Sequence, residues 1–236
     1  MKRFMMPAWL TRIAVAAGLV CMGLRLWLLK TGLDDRGLLD RSHPGNRLSW
    51  LVLALMAALL LASLREKRAV RLVRSSKMAV GVVLQGLGYL AAADSLYRGQ
   101  MHQLHKPSAV VALVAALCAF WMLYCLCRRK RIHPLACAPG VLFFLMLLVC
   151  RYQIWNSEPE PQYCFFHIMA LVGLALTAYI RGLMSMSRKN WKFYVQMSRW
   201  AIFASLAAMP GCVDALPLLL WAVALALDGC ELRNCQ

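Results

Sequence analysis

Arg25, Asp94, Arg151, His167 and Asp214 are ionisable residues set inside, or at the ends of, long apolar runs. A charge at the centre of a membrane helix costs about 2.5–3.5 kcal/mol, and less near the interface. Counted along their runs at about 1.5 Å per residue, all five fall at a similar depth near one edge. Two guanidinium groups, two carboxylates and an imidazole at one level can pair across a bundle or line a polar pocket. An Arg held below the headgroups needs water or a carboxylate to satisfy it. At least one Arg–carboxylate pair is therefore expected within hydrogen-bonding reach. A pocket of this make-up suits a zwitterionic or anionic small molecule, because guanidinium groups supply directed donors. The competing reading is topological: Arg25 and Arg151 snorkel to the surface, and the carboxylates mark the water line.

Other groupings carry less. His102 and His105 stand three apart, but zinc takes three or four ligands, and nothing in the spacing supplies the rest. Cys125 and Cys127 sit beside Arg128–Arg131, where cations would lower a thiol pKa. Their C-x-C spacing is not the C-x-x-C of redox or zinc motifs. Cys150, Cys164 and Cys212 lie on one side and could supply one disulfide. Asp34, Asp35, Asp40 and His43 punctuate the loop from Thr31 to Arg47, which lacks the EF-hand spacing. It reads as a solvated connection, or else as a lid. Ser63, Ser95 and Ser205 have no histidine in a recognisable nucleophile–base pattern. No Walker A, G-x-S-x-G, H-E-x-x-H or dinucleotide fingerprint occurs. No catalytic residue, metal or cofactor is expected, and enzymatic activity is the lesser reading.

The elements that position these residues are apolar. Of 236 residues, 61% are hydrophobic, and the mean hydropathy is +0.60. Soluble domains sit near 45–50% apolar. A crossing needs about 20 apolar residues. The runs Ala8–Leu29, Leu48–Leu64, Met78–Tyr97, Pro107–Cys127, Pro134–Tyr152, Gln162–Ile180, Val195–Met209 and Val213–Leu227 meet or approach that length. The expected fold is all-α: a polytopic membrane helix bundle of about eight transmembrane helices in four hairpins. It forms a single integral-membrane domain over 1–236, with no soluble domain. The last two runs are short and joined by Met209-Pro210-Gly211. Six crossings plus a re-entrant pair is the alternative.

The net charge is +17. Basic residues cluster at the ends of apolar runs, so the partners expected are anionic headgroups rather than nucleic acid. With alternating crossings, one side collects 17 Lys and Arg and the other 7. The positive-inside rule puts the richer side in the cytoplasm. Both termini are then cytoplasmic, in what is expected to be the plasma membrane. Aromatic residues interleave with basic ones from Arg181 to Arg199, the composition of an interfacial segment. The functional expectation is a small-solute transporter or membrane-embedded binding subunit with an outward-facing polar pocket. The alternative is a non-enzymatic scaffold, sensor or regulator acting through its basic linkers.

Overall fold

Four of the eight helices open on a proline: α2 (Pro44–Leu64), α4 (Pro107–Cys127), α5 (Pro134–Trp155) and α6 (Pro161–Met186). Proline suits a first helical turn, where its missing N–H has no partner to lose. The others are α1 (Met6–Thr31), α3 (Ser76–His102), α7 (Trp191–Ala208) and α8 (Ala215–Cys230). The computed structural model describes residues 6–32, 43–64, 70–72, 76–102, 107–127, 134–155, 161–186, 191–230 and 232–234. Each helix overlaps one expected apolar run. Several extend beyond it, because polar residues at a helix end break hydropathy without breaking the backbone.

The segments Trp9–Thr31, Pro44–Ala62, Ala79–Tyr97 and Cys164–Leu183 are long and apolar enough to cross a bilayer. Ala109–Tyr124, Cys137–Tyr152 and Ala215–Asp228 are apolar but shorter. By length and composition these helices are compatible with a membrane protein. Large apolar side chains such as Leu61, Phe120 and Val149 stay exposed on them, as a lipid-facing surface allows.

The all-α expectation holds, with one short extended pairing beside the helices. Val70–Leu72 (β1) pairs antiparallel with Leu232–Asn234 (β2), Arg71 opposite Arg233. This short ribbon ties the α2–α3 connection to the C-terminal end, so the two lie at the same end of the bundle.

Helix α7 is the centre of the bundle, in contact with α1, α6 and α8. Its last eight residues, Ala201–Ala208, are all buried. Small side chains there let neighbours approach, the usual device for packing apolar helices in lipid. A Cβ on Gly173 of α6 would lie 3.2 Å from the Ala201 Cα. Beside α7, Tyr89, Phe143, Phe144 and Trp221 form an aromatic cluster with centroids 4.9–6.0 Å apart. The rings meet edge-on or tilted, as their quadrupoles favour.

The loop residues 33–42, His105, Arg128–Arg131 and 187–190 lie outside the described residues, as do the side chains of His102, Cys125, Cys127, Trp191 and Lys192.

Candidate functional site

Helix α7 ends at Ala208, and the chain reverses through Met209-Pro210-Gly211-Cys212. The Cys212 N–H donates to the Met209 carbonyl at 3.2 Å. Gly211 has φ +72°. Proline second and a left-handed glycine third are the marks of a type II turn. The turn delivers Cys212 and Asp214 to the start of α8. The Asp214 carbonyl accepts the first helical bond, from Leu218 at 3.0 Å. Its side chain points instead into the bundle.

There Asp214 is fully buried and is met from three helices. Arg151 of α5 donates through Nε to Oδ2 at 2.8 Å and through Nη2 to Oδ1 at 2.6 Å. Ser95 of α3 donates to Oδ1 at 2.9 Å. His167 of α6 places Nε2 3.4 Å from Oδ2. The Cys212 sulfur lies 3.2 Å from Nδ1 and 3.8 Å from Nε2, off the in-plane axis of either nitrogen. That sulfur also accepts the Asp214 N–H at 3.3 Å. Burial, and next the Asp214 charge, push the Cys212 thiol up to about 12.

Of the five ionisable residues singled out in the sequence, Arg151, His167 and Asp214 meet directly. The Arg–carboxylate pair is Arg151–Asp214. Arg25 lies at the same end but turns to α7. Its Nη1 donates to the Ala207 carbonyl at 3.0 Å, and its guanidinium stacks 4.7 Å over Phe166. A cleft of about 20 Å³ beside it is lined by Asn46, Ser49 and Trp50 among others. Asp94 is exposed, on a different face of α3 from its neighbour Ser95. Cys150, Cys164 and Cys212 form no disulfide among the described residues.

His167, Cys212 and Asp214 offer nitrogen, sulfur and oxygen within 4.8 Å of one another, a donor set zinc accepts. Both carboxylate oxygens, however, already take a guanidinium N–H, and one takes Ser95 as well. Three of the roughly four acceptor sites of the carboxylate are thus already taken.

A second polar layer stands at the other end of α8 and was not singled out in the sequence. Asp228 lies 3.9 Å from Arg181 of α6 and accepts from the Tyr194 hydroxyl of α7 at 3.3 Å. Arg181 Nη1 donates to Gln85 Oε1 of α3 at 2.7 Å. Between the layers is a cavity of about 60 Å³, lined by Gln85, Tyr89, Cys137, Phe144, Arg181 and Trp221 among others. Arg181 Nη2, Trp221 Nε1 and Asp228 Oδ1 are buried and have no hydrogen-bond partner among the described residues. Two of these atoms belong to residues lining the cavity; the third belongs to the partner of Arg181.

No protein-family model matches the sequence, and no curated protein or solved structure matches it either.

Proposed function

We propose that the chain is a multi-pass membrane protein that binds a small polar or anionic solute, as a transporter or a membrane-embedded binding subunit. The observation that carries this reading is the cavity walled by aromatic and aliphatic side chains together with Gln85 and Arg181. An apolar hollow with a few convergent polar groups is also the ordinary form of a small-ligand site. Arg181 brings a guanidinium to the lining, which favours a carboxylate or phosphate over a cation. The sequence pointed to Arg25, Asp94, Arg151, His167 and Asp214 as pocket residues. In this reading those that meet, Arg151, His167 and Asp214, hold the far end of α8, while the solute sits nearer Arg181.

In the same reading all eight helices cross the plasma membrane and both termini are cytoplasmic. The basic linkers lie on anionic headgroups, each Lys or Arg contributing about 1 kcal/mol near the surface. The Asp214 end is then outermost. A second reading is favoured by the completeness of the Arg151–Asp214–Ser95 cluster. A fully satisfied cluster is interhelical glue, which suits a scaffold or regulator with no solute.

Thermal unfolding of the purified chain in detergent separates the two. A solute at about 100 times its Kd adds about 2.7 kcal/mol, which is about 5–11 °C for a chain of this size. Acetate, butyrate, glycine, glutamate and inorganic phosphate make a suitable panel. At least one should raise Tm in the native protein and fail to do so in Arg181→Gln. Equal shifts in both proteins, or none in either, would favour the scaffold.

A further inference from the structure

Arg181 fixes which end of the Gln85 amide is left for the cavity. A guanidinium only donates, so the Gln85 atom 2.7 Å from Nη1 is the carbonyl oxygen Oε1. The other end is Nε2, which carries two N–H donors. Gln85 is buried and lines the cavity, and no described residue accepts from Nε2. Four residues along α3, and so on the same face, Tyr89 supplies a hydroxyl. A Cβ added at Gly140 of α5 would lie 2.9 Å from that oxygen, and both residues line the cavity. The absence of a side chain at 140 therefore leaves the hydroxyl its place on the wall. No acidic residue is among the described residues that line the space. Asp228 stands behind Arg181, and at 3.9 Å it is beyond hydrogen-bond length.

We infer that this cavity binds a small monovalent anion, of the class of chloride, formate or acetate, on Gln85, Tyr89 and Arg181. The inference rests on the solute reading above and narrows it. Size sets the first limit. The cavity holds about 60 Å³, and water takes about 30 Å³ per molecule in the liquid, so the guest replaces about two waters and has about four heavy atoms or fewer. Charge sets the second. Arg181 already shares its charge with Asp228. A second negative charge on the guest would meet no further cation among the described lining residues, and an uncompensated buried charge is costly. The donor set decides the sign. An amide N–H pair, a phenol and a guanidinium can all donate to one anion, and hydrogen bonds to a charged acceptor are the strong ones. Phe144 and Trp221, 4.9 Å apart, keep the surround apolar. Such a surround strengthens those bonds and favours an anion that sheds its water readily.

The test follows Tm of the purified full-length chain in detergent at constant ionic strength. Sodium gluconate is replaced stepwise by sodium chloride, formate or acetate, with butyrate, glutamate and sulfate as comparators of size and charge. Expected is a saturable rise with at least one of the three small anions and none with the comparators. Gln85→Glu keeps an acceptor for Arg181 but replaces the N–H donors by a negative oxygen, so it should abolish the rise. Tyr89→Phe keeps the ring and removes one hydrogen bond to a charge, which should weaken apparent affinity by about 10- to 100-fold. Where either variant fails to fold, the size series in the native protein decides. An equal rise in native protein and folded Gln85→Glu overturns the inference. A rise with butyrate or glutamate as large as with acetate overturns it too, while leaving the solute reading in place. So does a rise with glycine, lost in Arg181→Gln, when no small anion has any effect. No rise with any of these compounds removes the solute reading as well.

Discussion

Asp214 and Asp228 stand fourteen residues apart at the two ends of α8, and each faces an arginine from a different helix, Arg151 and Arg181. At about 1.5 Å per residue, about 21 Å separates the two layers. Helix α6 spans the same interval in the same direction, from His167 to Arg181. Helix α7 runs the opposite way, from Tyr194 beside Asp228 to Ala207 beside Arg25. Both members of the last helix pair therefore run between the two polar layers.

The Arg151–Asp214 pair should behave as a unit. Removing one partner of a buried pair costs about 3–5 kcal/mol, because the other charge is left uncompensated. Asp214→Asn and Arg151→Gln are each expected to lower Tm in detergent sharply. The double variant should fall by less than the sum of the two. Additive losses would mean that the guanidinium finds other company and that the pair is not the lock described here.

At the opposite end the carboxylate of Asp228 lies against bare backbone. A Cβ added at Gly81 would come within 2.9 Å of Oδ1 and 3.3 Å of the Ala224 carbonyl. Gly81→Ala should thus push α3 from α8 and lower Tm. Gly23→Ala is the control, since nothing lies within 4 Å of its added Cβ. That change should gain about 0.5–1 kcal/mol from helix propensity. If both variants move Tm in the same direction, the close approach at Gly81 is not what sets the spacing.

Much of this was legible in the residues, for reasons that also mark the limit. Hydropathy reports what each segment needs from its solvent, so all eight helices could be read. Met209-Pro210-Gly211 could be read as a turn because proline and glycine restrict local dihedrals. A shared depth followed from counting along each run. Which helices are neighbours is a tertiary fact, and hydropathy does not encode it. Cys212 and His167 are 45 residues apart, and Gln85 and Arg181 are 96 apart. Cys212 was visible as a thiol and His167 as an ionisable residue near one edge, but only the packing of both α6 and α8 on α7 brings them together. Asp94 and Asp214 look alike in sequence. The face of the helix turns one outward, while the turn before α8 aims the other inward. The β1–β2 ribbon lies among basic residues with no alternation to announce it.

Sidedness is open to direct measurement. Reporter fusions after Lys77, Lys130 and Asn190 should report the cytoplasm. Fusions near Pro44, His102, Pro159 and Gly211 should report the opposite side. The pairing of Val70–Leu72 with Leu232–Asn234 adds a constraint: a fusion after Lys77 and one at Gln236 must agree. Disagreement between those two would refute the ribbon in the membrane, whatever the absolute orientation.

The last prediction tests whether the turn exists for the site it delivers. Gly211 has φ +72°, and an alanine there is strained by about 1–2 kcal/mol, whereas asparagine tolerates that region. Space is not the obstacle, because the nearest atom to an added Cβ is Leu29 Cδ1 at 3.4 Å, an ordinary contact. Any effect must therefore pass through the backbone. Gly211→Ala should lower Tm in detergent by a few degrees, and Gly211→Asn by less. Equal losses in the two variants would mean that the left-handed backbone at this position is not what holds the turn, and that the placing of Asp214 against Arg151 does not depend on it.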